Sequence, residues 1–384
     1  MPAIEKERAL KKNNVLLSAD YRSPQSGNFI SSVLDLADWM QDKGSKLFFL
    51  FPQSSSDHGW VQWIRSRGYT VYFIGDHISA QEKQSFFRKL IEDNQIRLIH
   101  THFGFQTRFL LDNHKSFGVE LLIHDHMDFT ADGNPIKQRI MTMARAASYR
   151  LNDAYGISVM KKKDRYYWPS GRKRHWFIIN GLSSKRANYD CFSIEERRKE
   201  IGLKENEKLV LFLGWDMYRK GLDLAIKAVE EYRKTDPTLK LGVIGVSSDG
   251  KPSDKAQQFL EQRGIDPNSD AIIYMHSYED IFALNRAIDC YISSSRAEAF
   301  AYGILEAISQ NTPVVVSNIA GTSWSWEYDK CFTYKTEDTE DCVRALRQAI
   351  AAGRSPSNYM ELTRRYGNDV WCDRIAEIYQ RILN

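Results

Sequence analysis

Two glutamates bracket a run of small and apolar residues late in the sequence, Glu298-AFAYGIL-Glu306. The apolar stretch DCYISS (289–294) precedes them and TPVVVS (312–317) follows, so the pair sits on a strand-to-helix turn, with the helix expected to begin near Phe300. A helix N-terminus exposes unpaired N–H groups and a partial positive charge, which together favour phosphate. The small residues Ala299, Ala301 and Gly303 leave room for a ligand at the backbone. Glu298 stands at the mouth of the turn, and Glu306 about two turns into the helix. A carboxylate there can accept from two vicinal hydroxyls, as on a ribose. One turn can thus hold a sugar hydroxyl, a diphosphate and a ribose in sequence. A plainer reading makes Glu298 a helix-start residue and Glu306 a solvated one, and periodicity does not separate the two.

A second turn of the same kind lies at 214–221. The run KLVLFLG (208–214) ends at Gly214, and WDMYRKG leads into the helical pattern LDLAIKAVEEYRK (222–234). Arg219 offers a planar fork and Lys220 a point charge, both suited to a diphosphate. The competing reading is an exposed basic turn. Histidines recur at i, i+2 in His100/His102 and His124/His126, yet no carboxylate-rich or cysteine-rich set accompanies either pair, so no metal site is expected. The segment KKKDRYYWPSGRKRH (161–175) carries seven Lys/Arg and one Asp. Tyr166, Tyr167 and Trp168 interrupt the cations Lys161, Lys162, Lys163, Arg172, Lys173 and Arg174, a mixture that suits an anionic membrane surface or an acceptor. A solvated loop is the plain alternative.

These residues need a frame. Apolar, β-branched runs occur at 14–18, 46–51, 70–75, 96–102, 119–126, 154–159 and 176–180, and again at 208–214, 239–245, 271–276, 289–294, 312–317 and 330–334. Amphipathic helical patterns separate them, as at 28–44 and 222–234. Continuous apolar strands alternating with helices imply parallel sheets covered on both faces. Two such series imply two doubly wound domains with a boundary near 181–190, and in such sheets ligands sit at the carboxyl ends of strands. The chain's 384 residues suffice for two cores. No apolar run reaches the roughly 18 residues of a membrane span, and the charged start MPAIEKERALKKNN has no signal-peptide centre. Five scattered cysteines without a CxxC pair point to a reducing cytoplasm. Neither GxGxxG after the first strand nor GxxxxGK[ST] is present, which argues against a dehydrogenase or a P-loop NTPase.

Taken together, the motifs resemble the retaining GT-B glycosyltransferases of family 4. That family has an E-x7-E motif, matched by Glu298 and Glu306, and a downstream stretch matched by EAISQNTPVVVSNIAGT (306–322). Its diphosphate turn, G-R-x-x-x-x-K-G, is matched by Gly214 to Gly221, with Trp215 where an arginine is common and Arg219 available to supply the charge. IINGL (178–182) resembles its domain-linking turn, and SGNF (26–29) its N-terminal glycine loop. The resemblance implies a GT-B fold, two Rossmann-like domains facing across a cleft. It divides the chain into an acceptor domain (1–186), a donor domain (187–365) and a terminal helix (366–384) that crosses back to the first domain. It implies a hexose-type transfer with retention, from a nucleoside-diphosphate sugar, expected to be a UDP-sugar, to a hydroxyl of a lipid-linked saccharide in surface polysaccharide or glycolipid synthesis. No cofactor or metal is required. Glu306 would hold the ribose and Glu298 the sugar hydroxyls. The amides of Phe300, Ala301 and Tyr302 would meet the distal phosphate. Ser277 and Tyr278 would meet the base, with Gly27 and Asn28 also on the donor side. A histidine after the strand LLIHDH would face the sugar, His126 in preference to His124, with HTHFGF (100–105) as a second wall.

Two other readings stay open. A nucleotide-sugar epimerase on the same fold would need no acceptor groove. A non-catalytic sugar or nucleic-acid binding module would need no intact carboxylate and cation set; nucleic acid is not the expected partner. The expected location is the cytoplasm, at the inner face of a membrane.

Overall fold

The computed structural model describes residues 13–126, 135–159, 174–183, 193–278, 280–354 and 359–384. The chain forms two compact units. The described parts of the first are 13–126, 139–159, 174–181 and 368–384, and the second takes up most of 182–367.

The first unit is built on a seven-stranded sheet of β1 (Asn14–Ala19), β2 (Leu47–Pro52), β3 (Val71–Ile74), β4 (Ile96–His102), β5 (Glu120–Asp125), β6 (Tyr155–Ser158) and β7 (His175–Phe177), in the order β3-β2-β1-β4-β5-β6-β7. Every neighbouring pair is parallel. The central strands β1, β2, β4 and β5 are buried on both faces along most of their length, as helices on both sides require. Val15 and Leu17 join one core cluster with Leu98 and Leu122, while Leu16, Ile99, Leu121 and Ile123 join the other. The helix Gly27–Asp42 lies on the first of these clusters together with the last helix, Asn368–Leu383. That last helix buries Trp371, Ile375, Ile378, Tyr379 and Ile382, whereas Val370, expected on the same apolar side, is half-buried. Asn368 Nδ2 donates to Asp35 at 2.7 Å, and Trp39 Nε1 donates to Asp373 at 2.9 Å, tying the two helices together.

The second unit has a six-stranded parallel sheet of β8 (Lys208–Leu213), β9 (Leu239–Ile244), β12 (Ile272–Met275), β13 (Cys290–Ser293), β14 (Val314–Ser317) and β15 (Cys331–Tyr334), in the order β12-β9-β8-β13-β14-β15. A two-residue antiparallel pair, β10 (Ser247–Ser248) and β11 (Lys251–Pro252), follows β9. In each sheet the chain runs outward in one direction and then returns to the far side of its first strand. Strand order therefore reverses between β1 and β4, and between β8 and β13. These are the two places where a doubly wound sheet opens a ligand crevice at its carboxyl edge.

All thirteen strand positions expected from the apolar runs carry a strand, shorter by one or two residues at several ends. The helix Pro135–Leu151 has no counterpart in the apolar pattern. Its large residues Ile136, Ile140, Met143 and Leu151 point outward, between 50% and 82% exposed. Among the described residues no helix is long and apolar enough to cross a membrane. Of the described cysteines, Cys290, Cys342 and Cys372 are buried and Cys331 is half-buried.

Candidate functional site

The turn after β8 and the turn after β13 meet, because their strands are neighbours at the reversal point. Asp216 caps the short helix Met217–Lys220. Its Oδ1 accepts from the Arg219 amide at 3.2 Å and its Oδ2 from Arg219 Nε at 3.0 Å. Gly221 ends that helix in the left-handed region, φ 71°, and a Cβ there would overlap the Ser294 carbonyl oxygen. Ser294 Oγ in turn donates to the Gly221 carbonyl at 2.8 Å. The 214–221 turn is thus clamped against the end of β13, and glycine is the residue that both the φ and the close approach demand.

This clamp delivers Lys220 and Arg219 to Glu298. Lys220 Nζ pairs with Glu298 Oε1, which also accepts from Ser295 Oγ at 3.1 Å and lies 3.5 Å from Arg219 Nη1. Glu298 and Arg219 are buried, each 8% exposed. Glu298 is therefore not a helix-start residue: no side chain caps the helix Tyr302–Ser309, and the carboxylate binds the cations instead. Nor is the basic turn merely exposed. Its cations are already balanced, Lys220 and Arg219 against Glu298 and Asp216. Trp215, in the place of the usual arginine, is 73% exposed and Arg219 supplies the inward charge.

Two expectations for this turn need correction. The helix begins at Tyr302, not Phe300, so Glu306 lies only one turn in, and it is buried at 6% exposure rather than solvated. Phe300 stands before the helix with its ring stacked on Trp324, centroids 4.7 Å apart. Gly303 does not serve ligand approach: a Cβ there would overlap the Tyr291 hydroxyl, so its smallness admits the tyrosine. Ala299 and Ala301 are buried, leaving Tyr302 half-buried at the helix start. Ser277 and Tyr278 follow β12, the sheet's edge strand, with Tyr278 tilted against His276 and under Arg197.

Arg296 is the residue that motif reasoning passed over. Its guanidinium takes Asp223 in a two-pronged pair at 2.9 Å, Glu337 at 2.5 Å and the Tyr218 carbonyl at 2.7 Å, while its own amide donates to the Arg219 carbonyl at 2.7 Å. It staples the two turns, a use that suits a rigid fork better than an ammonium. The signal was its place two residues before Glu298.

In the first unit, Gly27 takes φ 54° and opens the helix Gly27–Asp42. Asn28 points into the core, donating to the Gly181 carbonyl at 2.6 Å, so its side chain braces the fold rather than facing a donor. His100 and His102 on β4 and His124 on β5 share one face of the sheet, and His126 follows just beyond on the same side. Register pairs His102 with His124. The rings form one array, with His102–His124 centroids at 4.8 Å and His124–His126 at 4.4 Å. Phe103 stacks on His126 at 4.3 Å. Each histidine pair is thus packed against the other, because β4 and β5 are adjacent. His100, His102 and His124 are fully buried and His126 half-buried. Burial holds all four imidazoles neutral. It pushes His126 down to about 3, and burial with the nearby His126 does the same to His100. His102 and His124 also fall well below the usual range, first through burial and then through the neighbouring rings. Asp125 gives no counter-charge, since alternation turns it to the opposite face, where it meets Tyr149 at 3.1 Å and Arg145 at 3.5 Å.

Of the basic and aromatic run, Lys161, Lys162, Lys163, Tyr166, Tyr167, Trp168, Arg172 and Lys173 lie outside the described residues. Arg174 is described. It pairs with Asp153 and lies over the Tyr155 ring, bracing the sheet edge, so its charge is committed within the fold.

Residues 193–366, most of the second unit, match the family described as glycosyl transferases group 1. Among curated proteins, the lipopolysaccharide core biosynthesis mannosyltransferase LpsB of Rhizobium meliloti is 23% identical over 56% of this chain and 63% of its own length. The lipopolysaccharide glucosyltransferase WaaG of Escherichia coli is 28% identical over 46% of each chain. The matches thus span less than two thirds of either relative. Among solved structures, Anabaena Alr3699/HepE in complex with UDP-glucose superposes with a TM-score of 0.74 over 96% of this chain and 99% of its own, at 15% identity. The two parallel-sheet Rossmann-like units are those of the GT-B fold.

Proposed function

We propose that this protein transfers a hexose-type sugar, with retention of configuration, from a nucleoside-diphosphate sugar to a hydroxyl of a lipid-linked saccharide. The observation that carries the reading is the cluster of Lys220, Arg219 and Glu298 at the β8/β13 reversal point, inside the segment that matches a glycosyltransferase family. In the step itself, the bond from the sugar C1 to the diphosphate oxygen breaks and a bond from C1 to the acceptor oxygen forms on the same face. The acceptor's proton leaves on the departing phosphate. Lys220, Arg219 and the amides at the start of the helix Tyr302–Ser309 would stabilise the charge that develops on that phosphate. Glu298 would turn from the cations to the sugar hydroxyls, and Glu306 would hold the ribose. In the first unit, His126 is the array's least buried ring and the one offered to the sugar.

UDP is the nucleotide favoured by the resemblance to a structure that holds UDP-glucose. A lipid-linked acceptor is supported by the lipopolysaccharide roles in the relatives' names. It is also supported by the exposed stripe Ile136, Ile140, Met143 and Leu151 on the helix Pro135–Leu151, which has an exposed Arg150 in its last turn and no acid in its sequence. Such a face suits the surface of an anionic membrane.

The test is a panel of UDP-, GDP- and ADP-sugars, each incubated with the protein with and without lipid-linked saccharide extracts. The expected outcome is turnover of a UDP-sugar, with product of unchanged anomeric configuration by NMR. Epimer formed from donor alone would establish the epimerase reading instead. No turnover and no thermal stabilisation by any sugar nucleotide would defeat the proposal.

A further inference from the structure

Four of the nine histidines in the chain gather at the carboxyl end of β4 and β5, and motif spacing gives that cluster no role as a whole. Buried polar groups are nearly always hydrogen-bonded. Here His100 Nε2, His102 Nε2 and both ring nitrogens of His124 are buried without a partner. Three imidazoles with idle nitrogens turned into one small space call for an acceptor of their lone pairs. Among the described residues no carboxylate joins them, so no ion pair accounts for their burial.

We propose that His100, His102 and His124 form a binding site for a first-row divalent transition ion of the zinc type. One nitrogen from each ring is available, and these atoms lie within 4.8 Å of one another. A tetrahedral zinc centre with bonds of about 2.0–2.1 Å needs nitrogens about 3.3 Å apart, a contraction that ring rotation can supply. On His100 and His102 the other ring nitrogen is already in use in the way metal-bound imidazoles require. His100 Nδ1 lies 2.7 Å from the Tyr379 hydroxyl, and His102 Nδ1 lies 2.8 Å from His126 Nε2. With both rings protonated at Nδ1, the Nε2 lone pairs face the ion, and the outer partners fix the ring planes. The donor set decides the ion class. Three neutral imidazoles without oxygen ligands suit zinc, cobalt, nickel or copper and disfavour magnesium and calcium. The last helix brings Tyr379, so the site would pin that helix to β4 and β5. The inference does not depend on the glycosyl-transfer reading.

The test uses the untagged full-length protein, freed of metal by chelator and dialysed overnight against Co²⁺. One equivalent of Co²⁺ should bind with the visible absorption of a tetrahedral site, be displaced by Zn²⁺ and raise the melting temperature. His102→Gln should lower the affinity by at least about 100-fold, and Tyr379→Phe by about 10-fold, as loss of an outer partner does. X-ray absorption on the wild-type complex should give a shell of three imidazole nitrogens, a readout that holds if the glutamine variant fails to fold. No bound cobalt, cobalt bands that persist in His102→Gln, or a sulfur or all-oxygen shell would each overturn the site.

Discussion

Glu298→Gln is the perturbation that separates the electrostatics of the second unit from its shape. The Glu298 side chain is 6% exposed, between Lys220 at 21% and Arg219 at 10%. Removing its charge leaves two cations against Asp216 alone, and Asp216 already holds Arg219 at 3.0 Å. Lys220 is then the unbalanced charge. Deleting one partner of a buried pair costs about 3–5 kcal/mol. Lys220 retains some water and the amide oxygen still accepts a hydrogen bond, so the expected loss is about 2–3 kcal/mol. For a unit of this size that is roughly 4–12 °C in melting temperature. Calorimetry reads the loss. Hydrogen exchange should locate it in 208–221 and 290–298, since the two units need not melt together. UDP should restore more of the loss than uridine does, because only the diphosphate supplies the missing anion. A variant that melts within about 1 °C of wild type would refute the charge argument, and equal rescue by uridine and UDP would refute the placing of the diphosphate.

Gly221→Ala should destabilise the second unit by about 2–5 kcal/mol, from left-handed strain plus overlap with the Ser294 carbonyl. Gly264→Ala, at φ 67° with nothing near, should lose only about 1 kcal/mol in the same urea titration, and equal losses would show that the clamp is not tight. His126→Ala should lower sugar transfer in a radiolabel assay more than it lowers the melting temperature. His124→Ala, opening a cavity at a buried site, should do the reverse, and the opposite ranking would exchange their roles. Deleting 368–384 strips Trp371, Ile375, Ile378 and Tyr379 from the first core, so the truncated chain should bind a hydrophobic dye or aggregate; a soluble form with wild-type exchange protection of β1 would contradict the packing.

The strands were legible because a parallel strand is apolar on both faces and stands out against any helix beside it. The helix Pro135–Leu151 was not, because its large aliphatic residues face outward while its buried side carries Thr142, Ala146 and Tyr149, a weak apolar signal. Both charged turns could be read singly as anion sites. That they touch could not be read, since Glu298 and Lys220 are 78 positions apart and meet only through the adjacency of β8 and β13. The same holds for Arg296 and Asp223, 73 positions apart. The histidines fail for a related reason. Each i, i+2 pair looks weak alone, and only the register of β4 on β5 turns two pairs into an array.

The two reversal points, one in each sheet, differ in their chemistry, and the difference limits what each can bind. At β8/β13 the side chains are charged and paired, with Lys220 and Arg219 held by carboxylates that an incoming anion can replace. Beside β1/β4 the groups are neutral imidazoles and aromatic rings, with Phe29 against His102 at 5.2 Å and Phe103 against His126 at 4.3 Å. Burial opposes protonation there, so those rings offer no cation to a phosphate near neutral pH. Of the two reversal points, only that of the second unit carries cations suited to an anion. The first unit can offer stacking surfaces, hydrogen bonds from neutral rings and, where three lone pairs converge, a seat for a metal ion. The chemistry at each reversal point is thus set by which side chains each sheet carries at the end of its central strands, paired charges in the second unit and neutral rings in the first.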